Sequence, residues 1–261
     1  MTHRTIQQLF DLKGKTALVT GGSRGLGLQL AHALGEAGAK VLLSSRKASD
    51  LEEAVAELKA AGIDAQWIAA DCANEADIRS LADEAIRRLG GHVDILVNNA
   101  GAAWGAPFDE FPESGWDKVV DLNLKTPFFL TQALAPMLTA AATDHLAKVI
   151  NIASIDGVSV NPQETYSYAA SKSGLIHLTK RMALRLAQDR IAVSAIAPGA
   201  FASDMNKDAR DHGDEVKARI PAGRIGTPED MAGAAIYLAS RAGDYVVGST
   251  LVVDGGVTYA R

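Results

Sequence analysis

The sequence predicts an α/β fold: a single domain on a doubly wound parallel sheet of about seven strands, with helices on both faces. Three observations predict it. Short β-branched runs alternate with stretches of helical periodicity along all 261 residues. The runs are apolar almost throughout, as strands buried on both faces are. The first run ends in a glycine turn that opens a helix. Hydrophobic residues at 48% supply one large core, and no linker, repeat or low-complexity stretch divides 1–261.

In order, KTALVT at 15–20 is the first strand, and 26–34 takes up helical spacing behind the glycines. KVLLSS at 40–45 is the second strand, 50–60 a helix, AQWIAA at 65–70 the third strand and 75–89 a helix with Leu81, Ala85 and Leu89 on one face. DILVNN at 94–99 is the fourth strand. The stretch 116–138 reads as helix interrupted at Pro127 and Pro136, and KVINIAS at 148–154 is the fifth strand. A helix through Tyr168 follows, then IAVSAIA at 191–197, a helix opened by Thr227-Pro228-Glu229-Asp230, and STLVVDGG at 249–256. Gly21, Gly25, Asp71, Asn98, Ser154 and Pro198 all fall at or just past strand ends, where ligands bind in such sheets.

Composition excludes several classes. A net charge of -5 with no Lys/Arg cluster argues against nucleic acid, and the one cysteine, Cys72, against an internal disulfide. No apolar run serves as a signal peptide, and none of about 18 residues crosses a membrane, so a soluble cytoplasmic protein is expected. The six histidines lie at no ligand spacing, so no metal site is expected.

TGGSRGLG at 20–27 places unpaired backbone N–H groups and the positive end of a helix where a pyrophosphate can bind. Gly21 permits the turn, Gly25 the close approach of backbone to ligand, and Gly27 close packing of helix on strand. NAD sites carry an Asp or Glu at the end of the second strand for the ribose hydroxyls. Here that strand ends Ser44-Ser45-Arg46-Lys47, so Arg46, with Arg24, is assigned to a 2′-phosphate, and NADP(H) is expected over NAD(H). In TYSYAASKSG at 165–174, Tyr168 and Lys172 stand one helical turn apart, and an ammonium beside a phenol is expected to lower its pKa toward neutrality.

Taken together, TGGSRGLG, Asp71, NNAG at 98–101, Asn123 in VVDLNL, Ser154 in INIASIDG, YAASK, Pro198-Gly199 and VDGG resemble the short-chain dehydrogenase/reductase family. The match runs from Leu12 to Val257 and implies a Rossmann-type fold and a hydride-transferring enzyme. The resemblance implies that Ser154 donates to the substrate carbonyl, Tyr168 transfers the proton, Lys172 tunes Tyr168 and holds the nicotinamide ribose, and Asn123 positions a relay water. It also implies that Asp71 meets the adenine, that the backbone near Asn98 lines the ribose, and that Gly199 and Ser203 flank the nicotinamide. Ser23, Leu26, Cys72, Ala100, Gly101 and Pro198 complete the implied cofactor set. Ser203 replaces the family's usual threonine, and the Ser154–Tyr168 spacing is about a residue longer than usual.

Within the family, the runs at 98–123 and 220–240 and the loop around NPQETYSYAASK at 161–172 look most like 3-oxoacyl reductases of the rhamnolipid-precursor kind, with gluconate and other polyol dehydrogenases sharing much of the pattern. A cofactor-binding sensor without catalysis is disfavoured by the intact Ser154 and Tyr168. Trp104 and Phe201 are expected to line the substrate pocket. Trp67 and Trp116 are expected to pack in the core or between helices, Tyr166 to pack or to line the pocket, and 200–226 to form a lid with Gly213 and Gly223 as hinges. The helix after Asn123 lacks Lys and Arg over 126–147, which weakens docking of an acidic acyl carrier protein, although Lys180, Arg181 and Arg185 remain available. The resemblance implies a homotetramer, with Ala169, Ala170, Ser173 and Gly174 permitting close helix approach.

Overall fold

A computed structural model describes residues 4–203 and 205–260. A short helix, α1 (Ile6–Phe10), is closed by a capping box in which Thr5 and Gln8 bond each other's backbone. Then β1 (Thr16–Thr20), α2 (Gly25–Glu36), β2 (Lys40–Ser45), α3 (Ala48–Ala60), β3 (Ala65–Ala69), α4 (Glu75–Arg88) and β4 (Ile95–Asn98) alternate as expected. After α5 (Glu113–Val120) and α6 (Thr126–Ala141) come β5 (Ala147–Ile152), α7 (Tyr166–Leu186), β6 (Ile191–Pro198), α8 (Lys207–Asp211), α9 (Gly213–Lys217), α10 (Pro228–Ala239) and β7 (Thr250–Val253).

The seven strands form one parallel sheet in the order β3-β2-β1-β4-β5-β6-β7. Chain direction across the sheet reverses between β1 and β4, so a crevice opens beyond the carboxyl ends of those two strands. Alternation along each strand divides the core. Ala17, Val19, Val41 and Leu43 face Leu30, Leu34, Leu58 and Leu238 of α2, α3 and α10. Leu18, Leu42, Leu96 and Val149 face Leu81, Leu130, Leu134 and Met182 of α4, α6 and α7. With every one of these side chains buried, each valine, leucine and methionine contributes about 1.5–3 kcal/mol of transfer free energy, enough to fix the register.

The stretch 116–138 differs from its prediction. Helix α5 passes into α6 through a π-helical turn, Asp121–Lys125. Pro127 does not interrupt, because it lies in the first turn of α6, where no intrahelical donor is required, and Pro136 is carried inside α6. Thr227 opens α10 as predicted, its backbone N–H donating to Asp230 Oδ2 at 2.8 Å.

Candidate active site and cofactor cleft

The crevice is assembled by residues at the ends of β1 and β4. The Thr20 hydroxyl accepts from the backbone N–H of Asn99 and of Ala100, each at 3.0 Å, and donates to Val97 O at 3.3 Å. The Asn99 amide donates to Thr20 O at 2.9 Å and Gly21 O at 3.1 Å, which pins the glycine turn to the NNAG segment. Gly27 is required by this packing, because a Cβ there would lie 2.1 Å from the Gly21 carbonyl oxygen. Asn99 and Thr20 were not singled out from the sequence. The signal was period-two alternation, which turns Asn98 and Asn99 to opposite faces. Asn98 itself is buried, donating to Asn151 Oδ1 at 2.9 Å and Thr131 Oγ1 at 3.3 Å, so only its backbone remains for a ligand.

The turn fits a dinucleotide. Helix α2 begins after Arg24 without a side-chain cap, leaving its first N–H groups for an anion. Gly25 has φ +55, and only Ser203 Cβ, at 3.7 Å, lies near the position of a Cβ there, so the backbone is open to close approach. Ser23 and Leu26 flank it, half-buried. Arg46 is exposed at the end of β2, beside a buried Ser45 hydroxyl with no partner among the described residues. Arg24 is also exposed, with its guanidinium 4.0 Å from Asp50. Asp71 is half-buried and accepts from Ala73 N at 3.1 Å. Burial pushes the neighbouring Cys72 thiol up to about 12, which makes it an inert apolar wall. Gly199 lies against Asp254, where a Cβ would come within 2.6 Å of the Asp254 Cβ. This close packing holds the Pro198-Gly199 turn against the end of β7.

The four expected catalytic side chains converge beyond β5. Ser154 follows β5 and accepts from Asp156 N at 3.1 Å; its hydroxyl also bonds the Tyr168 hydroxyl. Lys172 is buried and donates to Ile152 O at 2.7 Å, with its Nζ 5.6 Å from the centre of the Tyr168 ring. Asn123 sits in the π-helical turn, a device that aims side chains at many functional sites. It accepts from Ala102 N at 2.8 Å and donates to Ala102 O at 2.9 Å and Ser171 Oγ at 3.1 Å. Gly101 lets these groups meet, since a Cβ there would stand 3.2 Å from Asn123 Oδ1 and 3.8 Å from Lys172 Nζ.

The electrostatics correct one expectation. Lys172 does not bring the Tyr168 phenol toward neutrality: burial pushes Tyr168 up to about 12, opposed by its bond to Ser154 and reinforced by the charge of Asp156. The same burial brings Lys172 down to about 8. Proximity alone fails because desolvation penalises both charged forms before their attraction can act. At neutral pH the site therefore holds a neutral phenol, a proton donor, beside a lysine poised near its titration.

The pocket expectations divide. Phe201 packs into the core while lining a small cavity with Ile220 and Val253: it is 4% exposed, bridges to Gly226, and lies where a Gly226 Cβ would be 2.4 Å from its ring. Trp104 is half-buried, stacked over Gly115 with the Lys118 ammonium 5.3 Å from its ring centre. Trp116, 42% exposed on α5, packs edge-on against Phe111 with ring centres 6.3 Å apart, and Trp67 packs on the core. Tyr166 stands edge-on to Phe108 and Phe111, each 5.6 Å away, and donates to Glu164 Oε1 at 3.0 Å. In the lid segment, Gly223 has φ +69 as a turn residue should, but Gly213 only starts α9 and is no left-handed hinge. The Ser203 hydroxyl accepts from Asn206 N at 3.1 Å at the head of α8.

A doubly wound sheet with a dinucleotide-fitting turn and a serine–tyrosine–lysine cluster at its switch point defines a nucleotide-dependent oxidoreductase. A family model described as "Enoyl-(Acyl carrier protein) reductase" matches residues 21–258. The rhamnolipids biosynthesis 3-oxoacyl-[acyl-carrier-protein] reductase of Pseudomonas aeruginosa is 43% identical over 95% of this chain and 97% of its own length. Gluconate 5-dehydrogenase of Gluconobacter oxydans is 38% identical over 96% and 97%. The solved Pseudomonas aeruginosa RhlG/NADP active-site complex superposes with a TM-score of 0.91 at 42% identity, covering 96% of this chain and 99% of that one. The chain belongs to the short-chain dehydrogenase/reductase family.

Proposed function

We propose that the protein is an NADPH-dependent reductase of 3-oxoacyl or β-ketoester-type carbonyls, acting through Ser154, Tyr168, Lys172 and Asn123. The carrying observation is the neutral Tyr168 hydroxyl, bonded to Ser154 and backed by a lysine close to titration. When bound, the nicotinamide supplies a hydride. The Ser154 hydroxyl donates to the substrate oxygen and stabilises the developing alkoxide. Tyr168 gives that oxygen its proton, and Lys172 disperses the phenolate charge left behind. Asn123 fixes the backbone of Ala102 and the Ser171 hydroxyl, holding the wall through which protons are resupplied. Arg46 and Arg24 hold the 2′-phosphate, a reading supported by the absence of a carboxylate at the end of β2 and by the NADP-bound relative. The segment 200–226 closes over the bound pair. Oxidation of a sugar acid is the second reading, favoured by the likeness to gluconate 5-dehydrogenase.

The protein acts as a cytoplasmic homotetramer. Among the described residues, no helix is long and apolar enough to cross a membrane. Phe128, Phe129 and Leu184 project outward from α6 and α7 and supply an apolar face for self-association, whereas Gly174 is already covered by Leu124. For carrier-protein docking, Lys180, Arg181 and Arg185 are all exposed on α7, with Arg185 paired with Asp189 at 2.5 Å. The test is steady-state oxidation of NADPH and NADH against a 3-oxoacyl thioester, a β-ketoester and a keto-sugar acid. NADPH turnover of the first two supports the reading; preference for the sugar acid overturns it.

A further inference from the structure

Two walls flank the catalytic cluster: the segment after NNAG, and the segment from Ser154 to Tyr168. Over 102–117 and 153–171 the chain has no Lys, Arg or His but six carboxylates: Asp109, Glu110, Glu113, Asp117, Asp156 and Glu164. The walls are tied together. The Glu164 carbonyl accepts from Ala106 N at 3.2 Å, and its Oε1 accepts from Phe108 N at 3.1 Å. Asp156 is half-buried, whereas the other five are exposed. Its backbone N–H donates to the Ser154 hydroxyl at 3.1 Å, and the next residue, Gly157, is packed so closely on α7 that a Cβ would lie 2.6 Å from the Lys172 carbonyl carbon.

Several cations around these walls are engaged elsewhere. Lys172 donates to Ile152 O, and Lys118 lies over the Trp104 ring. In the lid, Arg210 pairs with Asp211 at 2.7 Å, Lys217 with Asp214 at 2.5 Å, and Arg224 with Asp230 at 2.6 Å. A substrate bearing its own carboxylate near the reacting carbonyl would meet negative charge without a free counter-ion among the described walls.

From this geometry we infer that Asp156 is a specificity-determining residue that excludes anionic substrates, so the physiological substrate is uncharged around its reacting carbonyl, as an ester or thioester is and a sugar acid is not. Its position supports that reach: its backbone N–H bonds the Ser154 hydroxyl at 3.1 Å, and its charge acts on the Tyr168 hydroxyl. The inference deepens the proposed reductase activity and rests on it.

The test is a matched pair, a β-ketoester and its free β-keto acid, with wild type and Asp156→Asn. Both present one ketone and differ by one charge. Wild type is expected to favour the ester by at least about a hundred-fold in kcat/KM. In D156N that ratio is expected to fall about ten-fold, about 1.4 kcal/mol, chiefly through a lower KM for the acid. A general structural defect would slow both substrates together and leave the ratio where it was. Equal wild-type rates on ester and acid overturn the charge selection while leaving the reductase reading intact, and so does an unchanged ratio in D156N. Preference of wild type for 5-keto-gluconate over both overturns the two together. The wild-type comparison stands even if the variant fails to fold.

Discussion

Replacing Lys172 with methionine should make the protein inactive and more stable at once. Lys172 is 4% exposed, and burial lowers it from 10.5 to about 8. That lowering corresponds to about 3 kcal/mol held against the charged form. Methionine of similar length removes this penalty but loses the bond to Ile152 O, a charge-assisted contact of about 1.5–3 kcal/mol. The net gain is about 1 kcal/mol at pH 7, a rise in Tm of about 2–4 °C for a chain of this size. The sign with pH follows from linkage. Below about 8 both folded and unfolded lysines are protonated and the penalty is complete. Between about 8 and 10.5 the unfolded state binds more protons, so wild type gains stability as pH rises. Thermal unfolding of cofactor-free wild type and K172M at pH 7 and pH 10 should therefore show the variant ahead at pH 7 and the gap narrowing at pH 10. A variant less stable at pH 7, or a gap independent of pH, would refute the reasoning.

Further expectations are independent of that one. Tyr168→Phe removes the proton donor without disturbing its burial, so kcat should fall about 10²–10⁴-fold while NADPH binding, read by fluorescence, is retained. Arg46→Glu should lower kcat/KM for NADPH by about ten-fold or more and leave NADH no worse, because only the 2′-phosphate contact is lost; a parallel loss with both cofactors would contradict the assignment. Gly27→Ala forces a Cβ against the Gly21 carbonyl, and the resulting shift of the turn should cost at least about 1–3 kcal/mol and weaken cofactor binding, measurable by calorimetry.

Much of the fold was legible because each strand advertised itself locally. KTALVT, KVLLSS and IAVSAIA are buried on both faces and carry no polar alternation to confuse with helix. The site was legible where chemistry depends on sequence-local geometry, as in the turn at Gly21–Gly27 and the helical spacing of Tyr168 and Lys172. What stayed hidden depended on contacts between distant segments. Asn99 reads like Asn98 in the sequence, yet only the fold shows that one pins the glycine turn and the other joins β4 to β5. Lys148 looked like the polar start of a strand, but it is buried and paired with Asp244 at 2.7 Å. Phe201 looked like a pocket aromatic because it follows Pro198-Gly199; the bridge to Gly226 also packs it into the core. The pKa of Tyr168 was misjudged for a related reason, since spacing reports which charges are near and not how much water is missing.

The most direct measurement is isotope transfer. NADPH carrying deuterium at the transferable nicotinamide position would be incubated with a 3-oxoacyl thioester and either wild type or Tyr168→Phe, and the product examined by NMR. Deuterium at the new carbinol carbon with wild type, and a rate reduced at least about a hundred-fold in the variant, is the predicted result. No label in the product with wild type, or equal turnover by the variant, would contradict the account.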